Sequence, residues 1–226
     1  MSTTIAFDVY GTLIDTAGIV TALEKRVGDR AEAFSNLWRA KQLEYSFRRG
    51  LMQNYRDFSV CTRNALDFCC ESLQVEMSAA ERVSLLEAYR YLPAFADAEK
   101  GLVRLKAAGC RLYAFSNGKP DDVRNLLVHA RIDQYLEGVV STDEIKSFKP
   151  NPAVYAHFLR QACAGGCESW LISGNPFDVI GAISAGMRGA WVKRSPNAFF
   201  DPWEIQPTLT VANLVELCER FQADQS

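Results

Sequence analysis

The sequence has no long hydrophobic run and no strong excess of either charge. No apolar stretch approaches the roughly 20 residues that a membrane-spanning helix needs, and residues 1–3 lead into the first apolar segment without the features of a signal peptide. Acidic and basic side chains nearly balance, with a formal net charge of -2. Such a composition gives no indication of binding to nucleic acid or to a membrane surface. We therefore expect neither a nucleic-acid nor a membrane partner.

Histidine is scarce too, and the cysteines show no metal-binding pattern. The chain has two histidines and seven cysteines, of which Cys163 and Cys167 are separated by three residues. A structural zinc site usually draws its ligands from two closely spaced pairs, and a second pair is missing, so we expect both cysteines to be packing residues. An odd cysteine count without a secretory signal indicates reduced thiols. We therefore expect a cytoplasmic protein.

What the sequence does contain is a regular alternation of strand-like and helix-like segments. The strand-like segments are short, apolar and rich in β-forming residues: Thr4–Val9, Arg111–Phe115, Gly138–Val140, Trp170–Ile172 and Ala190–Val192. Segments with helical spacing of apolar residues lie between several of them: Asp121–Ala130, Pro152–Ala164 and Phe177–Ala185. This alternation predicts an α/β fold with a doubly wound parallel sheet.

The segment between the first two predicted strands has a different character. It contains no convincing strand and four helical patches, Gly18–Val27, Ala31–Arg49, Arg56–Leu73 and Ala79–Arg90. We therefore predict that residues 1–15 begin the core, residues 16–95 form an inserted helical cap, and residues 96–226 complete the core. A helical lobe over the edge of a sheet can exclude water from the chemistry beneath it.

Three of the predicted strands end in polar residues. Asp8 lies near the end of the first strand, Ser116 and Asn117 follow the second, and Ser173 follows the fourth. In open α/β sheets, ligands bind at the carboxyl ends of the strands, so these side chains are candidates for one site. Asp8 considered alone is equally compatible with a residue that caps the following turn.

The segment FDVYGTL, residues 7–13, resembles the nucleophile motif of the haloacid dehalogenase superfamily. Phosphatases of that superfamily carry a second aspartate where this chain has Tyr10, and that aspartate protonates an alkoxide leaving group. A halide needs no proton, so Tyr10 favours carbon–halogen chemistry over phosphate chemistry. The resemblance implies that Asp8 is the nucleophile, that Thr12 holds its carboxylate and that Tyr10 lines the substrate site.

The segment WRAKQLEY, residues 38–45, would by itself indicate an amphipathic surface helix. In this context it is similar to the cap motif of the L-2-haloacid dehalogenases. That similarity implies that Arg39 reaches the leaving halide, a role suited to a permanent and weakly hydrated cation. It also places Leu43 and Phe58 in the substrate pocket, although core packing is an equally open interpretation of Phe58.

The polar residues after the second strand combine two possible roles. Ser116-Asn117-Gly118 precedes a predicted helix, so this turn is expected to act as a helix cap and to direct backbone N–H groups at an anion. In the family that the chain resembles, the serine holds the substrate carboxylate and the asparagine helps to bind the halide. Ser116 and Asn117 are therefore expected to bind the substrate.

Lys149 lies in a predicted loop, where a lysine is usually solvent-exposed. The proposed chemistry nevertheless requires a cation, because an ionised Asp8 must approach a substrate that is itself a carboxylate. Two such charges about 4 Å apart repel by roughly 4 kcal/mol at an effective dielectric near 20. The resemblance places Lys149 at the superfamily lysine that holds the nucleophile. Tyr155 resembles a nearby family tyrosine, and a buried aromatic on a helix is an almost equally open interpretation.

The segment SGNPFD, residues 173–178, follows the fourth strand. Magnesium-dependent phosphatases of the superfamily place an acidic ligand where this chain has Gly174, and magnesium requires oxygen ligands that usually include carboxylates. The resemblance instead implies that Ser173, Asn175 and Asp178 orient Lys149 and the hydrolytic water. We therefore expect no metal and no cofactor.

The predicted activity is hydrolysis of L-2-haloalkanoic acids to D-2-hydroxy acids, with a small 2-substituted carboxylic acid as the substrate. Ala40, Gly174 and Phe177 depart from the family pattern; Phe177, a predicted substrate contact, stands where tryptophan is common. These departures keep open a hydrolase of the same mechanism that opens the ring of L-azetidine-2-carboxylate. A phosphatase is a further alternative that Tyr10 and Gly174 disfavour. The resemblance also implies a homodimer.

Overall fold

Strand β1 (Thr4–Phe7) lies near the middle of a six-stranded sheet in the computed structural model, which describes residues 2–223. The other strands are β2 (Arg111–Ser116), β3 (Gly138–Ser141), β4 (Ser169–Ser173), β5 (Arg188–Val192) and β6 (Leu209–Val211). Their spatial order is β3-β2-β1-β4-β5-β6, and every neighbouring pair is parallel. The predicted doubly wound parallel sheet is confirmed.

Successive residues of β1 face opposite sides of the sheet, as the two-residue period of a strand requires. Ile5 and Phe7 belong to one hydrophobic core, and Ala6 belongs to the other. The first core is completed by α5 (Ala98–Ala107), α6 (Pro120–His129) and α9 (Leu214–Ala223), and the second by α7 (Pro152–Gln161) and α8 (Pro176–Ser184). Helices on both faces explain why β1 is continuously apolar.

Four helices separate β1 from α5 in the sequence: α1 (Ala17–Val27), α2 (Ala31–Leu51), α3 (Phe58–Ser72) and α4 (Ala79–Ala88). Helix α3 begins after Asp57, whose carboxylate accepts from the backbone N–H of Ser59 at 3.1 Å. Helices α2 and α3 pack together, and the buried Trp38 indole donates to the backbone oxygen of Thr62 at 2.8 Å. This all-helical segment carries the residues that approach the sheet edge from above.

The chain leaves the sheet and returns to it at adjacent points. The backbone N–H of Asp15 donates to Pro93 O at 2.8 Å, and the backbone N–H of Phe95 donates to Leu13 O at 2.9 Å. This two-stranded contact lies beside the predicted division points at residues 15/16 and 95/96; the division itself stays a prediction. Residues 1 and 224–226, which the predicted core also includes, lie outside the described residues.

Three elements were not predicted from the sequence, namely β6, α5 and α9. Strand β6 has only three residues and lies at the edge of the sheet, so it lacks the long buried run by which a central strand is recognised. Helices α5 and α9 do have apolar faces, but those faces can be recognised as buried only in the folded protein, where Leu102 and Leu214 enter the same core. Tertiary packing therefore decides these elements.

The cysteine prediction was wrong in one respect. Cys163 and Cys167 are both exposed, whereas the other five cysteines are buried. Cys163 lies just beyond the end of α7, and Cys167 lies in a short turn before β4. In the part of the chain that the structure describes, no helix is both long enough and apolar enough to cross a membrane.

Candidate active site

The polar strand ends meet at one edge of the sheet because β1 is paired with both β2 and β4. Phe7, the last residue of β1, is in register with Ala114 of β2 and Ile172 of β4. Asp8 continues this register, and its backbone N–H donates to Ile172 O at 2.9 Å. The side chains of Ser116 and Ser173, at the ends of β2 and β4, are therefore brought to the two sides of Asp8.

The two carboxylate oxygens of Asp8 have different surroundings. Oδ2 accepts three hydrogen bonds, from Thr12 Oγ1 at 2.8 Å, Asn175 Nδ2 at 2.7 Å and Ser173 Oγ at 3.2 Å. Oδ1 accepts a single side-chain hydrogen bond, from Lys149 Nζ at 3.1 Å. One oxygen is thus held by neutral donors on several sides, while the other has free lone pairs beside a cation.

Lys149 is buried despite its loop position, with 2% of its surface exposed. Its ammonium donates to three acceptors, Asp8 Oδ1 at 3.1 Å, Asp178 Oδ2 at 2.7 Å and Phe115 O at 2.8 Å. Burial alone would lower the pKa of Lys149, but the carboxylates of Asp178 and Asp8 outweigh it and raise the pKa above its usual value. Three acceptors match the three protons of an ammonium, so Lys149 is held as a charged group.

Asp178 and Tyr155 form the far side of this charged cluster. Asp178 is fully buried, and Tyr155 donates its hydroxyl proton to Asp178 Oδ1 at 2.8 Å. Burial raises the pKa of Asp178 to about 6, since the nearby Asp8 charge adds to it and the Lys149 ammonium offsets it only in part. Asp178 therefore changes its protonation within the neutral to mildly acidic range.

The electrostatics of Asp8 favour the opposite protonation behaviour. Burial alone would raise the pKa of the Asp8 carboxyl, but the Lys149 ammonium, the Thr12 hydroxyl and the Arg39 guanidinium outweigh it and hold the pKa below its usual value. Asp8 is consequently ionised at neutral pH, as a carboxylate nucleophile must be. Two carboxylates in one cluster thus have pKa values shifted apart, a pattern typical of catalytic sites.

Arg39 reaches from helix α2 to the edge of the sheet. One of its NH groups donates to Gln42 Oε1 at 2.8 Å, and another donates to Asn175 Oδ1 at 3.4 Å. Because Asn175 also donates to Asp8, the guanidinium lies one residue away from the carboxylate. The structure therefore places Arg39 near the strand ends, and its contact with a halide stays a prediction.

Asn117 is tied to the loop that carries Lys149. Its side-chain oxygen accepts from the backbone N–H of Lys149 at 2.9 Å and from Thr142 Oγ1 at 3.1 Å. The amide nitrogen of Asn117 has no hydrogen-bond partner among residues 2–223 and is free to donate to a bound anion. Ser116 Oγ accepts from Gly118 N at 3.1 Å, which leaves its hydroxyl proton available as well.

Gly174 approaches the nucleophile loop too closely to carry a side chain. A Cβ at residue 174 would lie 2.2 Å from the backbone oxygen of Gly11, far inside van der Waals contact. The N–H of Gly174 donates to Thr12 Oγ1 at 2.8 Å, so the close approach also orients the hydroxyl that holds Asp8. An acidic metal ligand at position 174 would not fit this backbone.

A cavity of about 850 Å³ lies between the helical segment and the turn after β2. Its wall includes Tyr10, Phe58 and Tyr89, and the rings of Tyr10 and Tyr89 meet edge to face at 6.2 Å. Burial, together with Tyr89 and Asp122, raises the pKa of the Tyr10 hydroxyl above its usual value. Tyr10 therefore stays protonated and neutral at the position where a phosphatase would need a carboxylic acid.

Of the predicted substrate-binding residues, Tyr10 and Phe58 line this cavity, whereas Arg39, Leu43, Ser116, Asn117, Tyr155 and Phe177 do not. Phe177, at the start of α8, packs against Phe47 of α2 at 5.2 Å between ring centroids, and it is not part of the cavity wall. Leu43 packs against the small cluster of Phe58, Cys61 and Phe148 rather than lining the cavity. The expectation that Ser173 and Asn175 orient Lys149 also differs from the structure. Both donate to Asp8, and of Ser173, Asn175 and Asp178 only Asp178 accepts a hydrogen bond from Lys149 in the described part of the chain.

Several residues of the site were not predicted as site residues. Gln42 and Thr62 continue the contacts of Arg39, Tyr89 lines the cavity, and Arg194 donates to Thr12 O at 2.5 Å. Gln42 could have been found from its helical spacing to Arg39, and Arg194 from its position two residues after β5. Thr62 and Tyr89 give no such signal, because only the packing of α3 and the chain after α4 brings them to the site.

Comparison with known proteins gives a consistent result. A family model described as haloacid dehalogenase-like hydrolase matches residues 3–186. An (S)-2-haloacid dehalogenase from Pseudomonas putida is 33% identical over 213 residues, which cover 94% of this chain and 93% of that protein. A haloacetate dehalogenase, H-2 of Moraxella sp. (strain B), is 35% identical over 196 residues, which cover 86% of this chain and 87% of that protein.

A solved structure with similar architecture is L-2-haloacid dehalogenase from Xanthobacter autotrophicus with chloropropionic acid covalently bound. Its TM-score is 0.91 at 30% identity, and the match covers 98% of this chain and 99% of that chain. The fold and site thus define a hydrolase with an aspartate at the carboxyl edge of a parallel sheet. The chain belongs to the haloacid dehalogenase-like hydrolase family, which confirms the resemblance stated from its sequence.

Proposed function

We propose that this protein is a hydrolytic dehalogenase that converts L-2-haloalkanoic acids to D-2-hydroxy acids through an ester on Asp8. The observation that carries the proposal is the asymmetry of the Asp8 carboxylate. Within the described residues, Oδ2 is held by three neutral side-chain donors and Oδ1 is paired with Lys149 alone. Relatives described as (S)-2-haloacid dehalogenases, at 33% identity over most of the chain, support the same substrate class.

In the first step, Asp8 Oδ1 attacks the α-carbon opposite the halogen. A carbon–oxygen bond forms, the carbon–halogen bond breaks with its electron pair going to the halide, and the configuration at carbon inverts. The halide departs toward the Arg39 guanidinium and the free amide N–H of Asn117. No proton is required, which agrees with a neutral Tyr10 at the position that a general acid would occupy.

In the second step, water attacks the carboxyl carbon of the Asp8 ester. Negative charge then develops on Oδ2, where Thr12, Ser173 and Asn175 already point their donors. Pre-oriented donors of this kind stabilise a tetrahedral intermediate without reorganising. Asp178, with a pKa raised to about 6, accepts a proton from the water. The bond between the carboxyl carbon and Oδ1 then breaks. Of the two protons of the water, one goes to the departing oxygen and the other to solvent.

Lys149 supplies the positive charge that this chemistry needs. Its ammonium lies between Asp8 and Asp178, the two carboxylates that would be left to hold a magnesium ion if one were bound. The third acidic position of a magnesium site falls on Gly174, where a side chain would collide with Gly11 O. The donor set therefore does not fit a magnesium ion, and we propose that turnover needs none.

The substrate carboxylate is expected to bind at the turn after β2. Ser116 has an unused hydroxyl proton, and the turn that follows it leads into α6, whose N-terminus favours negative charge. This arrangement keeps the substrate carboxylate on the β2 side of Asp8 while the halogen faces Arg39. One enantiomer at the α-carbon satisfies both contacts and also presents its back face to Oδ1.

The experiment that tests the proposal is halide release from each enantiomer of 2-chloropropionate, with and without EDTA. We expect chloride and D-lactate from the L-enantiomer alone, unchanged by EDTA, and no reaction with Asp8→Asn. Fluoroacetate and L-azetidine-2-carboxylate serve as comparison substrates for the leaving group. Turnover of azetidine without chloride release, or phosphate release restored by magnesium, would contradict the proposed activity.

The homodimer, the cytoplasmic location and the cap boundaries at residues 16–95 stay predictions. Light scattering coupled to size-exclusion chromatography measures the first, and cell fractionation the second. Limited proteolysis near residues 15 and 95 is expected to leave the core and the helical segment associated, because they share one hydrophobic cluster.

A further inference from the structure

Gln42 and Thr62 are buried polar residues on neighbouring helices, and neither touches Asp8. Gln42 is 2% exposed and Thr62 is 6% exposed. Buried side-chain amides and hydroxyls are costly unless their hydrogen bonds are satisfied. Here Thr62 is satisfied by Gln42 and by Phe58 O, and Gln42 by Thr62 and Arg39. Their contacts form a continuous chain that leads from helix α3 to the guanidinium.

Each link of this chain has a defined direction. The Thr62 hydroxyl donates to Phe58 O at 3.0 Å, so it accepts the 2.6 Å hydrogen bond from Gln42 Nε2. The Gln42 amide is thereby oriented with its oxygen toward Arg39, which donates to it at 2.8 Å. Since a guanidinium has donors only, a flipped Gln42 amide would face it with a second donor. Thr62 therefore decides which end of Gln42 meets Arg39.

The second contact of Arg39 is also a neutral amide. Asn175 accepts from Arg39 at 3.4 Å through Oδ1 and donates to Asp8 through Nδ2. Across residues 2–223, Arg39 forms no ion pair with a carboxylate within 4.0 Å. Two amide oxygens thus orient the guanidinium without neutralising its charge, which leaves that charge available for an anion in the site.

We infer that Gln42 and Thr62 are positioning residues that hold the Arg39 guanidinium toward the departing halide through this directed hydrogen-bond chain. The inference rests on the proposed function for the identity of the anion. Without the chain, Arg39 keeps its charge but regains the rotamer freedom of a long side chain. The interaction of Arg39 with the halide is then weakened by the cost of ordering the Arg39 side chain. Because that interaction strengthens as the carbon–halogen bond breaks, the weakening slows ester formation.

The test compares substitutions at Thr62 that differ by a single hydroxyl group. Thr62→Val removes the acceptor for Gln42 at nearly constant volume, and Thr62→Ser retains it. In single-turnover reactions with L-2-chloropropionate, we expect Thr62→Val to slow ester formation by about tenfold or more, Thr62→Ser to react at close to the wild-type rate, and the substrate KM to change little. Gln42→Leu is expected to behave like Thr62→Val.

A double-mutant cycle separates positioning of Arg39 from any other effect. If Thr62 acts through Arg39, Thr62→Val costs little in an Arg39→Ala background, because the group being positioned is gone. The matched control is Trp38→Phe. It removes the hydrogen bond from the Trp38 indole to the backbone oxygen of Thr62 and leaves the contacts from Thr62 through Gln42 to Arg39 intact. We expect Trp38→Phe to lower the melting temperature while keeping the wild-type ratio of bromide to chloride release rates.

An activity-independent measurement distinguishes failure of this inference from failure of the proposed function. Nitrogen-15 relaxation of the Arg39 Nε–H, assigned by its loss in Arg39→Ala, reports order of the guanidinium without any substrate. We expect the order to fall in Thr62→Val and to be retained in Thr62→Ser. An ordered wild-type Arg39 without halide release would overturn the proposed function and leave the chain supported. Undiminished order in Thr62→Val, or an equal rate loss in the Arg39→Ala background, would overturn the chain.

Discussion

Lys149 Nζ lies 3.1 Å from Asp8 Oδ1, the carboxylate oxygen that has no other side-chain donor among residues 2–223. The ammonium offsets the charge of the nucleophile and donates one hydrogen bond to Oδ1, which leaves the remaining lone pair of that oxygen free to attack carbon. The same ammonium contacts Asp178, so one cation serves two buried carboxylates. Any change at Lys149 is therefore expected to affect both folding and chemistry.

Lys149→Met is expected to abolish ester formation and to lower the free energy of unfolding by about 3–5 kcal/mol at neutral pH, as when one partner of a buried ion pair is removed. Asp8 and Asp178 would then both be buried without a cation, and their pKa values in the folded state would rise. A raised carboxyl pKa means that the folded state binds more protons, so the deficit should shrink as the pH falls. Urea unfolding at several pH values measures this.

The identity of the nucleophile can be tested with labelled water. In a single turnover in oxygen-18 water with excess enzyme, we expect the label to enter the Asp8 carboxylate while the product hydroxyl takes its oxygen from the enzyme. Mass spectrometry of the peptide that contains Asp8 measures the label. Label found directly in the 2-hydroxy acid would instead mean that water attacks the substrate and that no ester forms.

The two steps should respond differently to acid. The pKa of Asp8 is held low, so ester formation should continue well below neutral pH. The pKa of Asp178 is raised to about 6 while Asp8 is ionised. The ester removes the Asp8 charge and so lowers the pKa of Asp178. Ester hydrolysis, which needs ionised Asp178 to accept a proton from water, should therefore slow as the pH falls below about 6. Acid-quench mass spectrometry is expected to find the alkylated enzyme accumulating near pH 5; equal slowing of both steps would refute these assignments.

Gly174→Ala tests the close approach between residue 174 and the nucleophile loop. The new Cβ would collide with Gly11 O, and we expect a loss of about 3 kcal/mol of stability together with a large loss of activity. Gly165→Ala is the matched control, because a Cβ there meets nothing nearer than Glu168 Oε2 at 3.9 Å. Thermal unfolding and chloride release measured on both variants decide the matter, and similar behaviour of the two would count against the steric argument.

Arg39→Ala and Arg39→Lys are both expected to slow ester formation by at least about a hundredfold with little change in unfolding. Lysine keeps the charge but lacks the planar fork that meets Gln42 and Asn175 together. Arg48→Ala, on the exposed side of the same helix, is the control and should react like the wild type. Rapid-quench measurement of the first turnover distinguishes these variants, and near-normal rates in Arg39→Ala would mean that Arg39 has no role in halide departure.

The architecture and the family were predictable because they follow from local patterns. The strand that precedes Asp8 is recognisable from a continuous apolar run, and the helices between strands from their spacing of apolar residues. The edge strand β6 was not predictable, since three residues at the rim of a sheet carry too little pattern. The resemblance at residues 7–13 and 38–45 then identified the family, which the comparisons confirm.

The sequence by itself determined which chemical groups are present: a carboxylate at the end of β1, no acid at Tyr10, no side chain at Gly174 and Lys149 in the segment after β3. Only the tertiary structure decided how they are oriented. The separate surroundings of Asp8 Oδ1 and Oδ2, the burial of Lys149 and the chain from Thr62 to Arg39 all join residues far apart in sequence. A local sequence pattern shows which residues of one helix or strand are buried. These contacts instead depend on how β1, α2, α3 and the loop of Lys149 pack against one another.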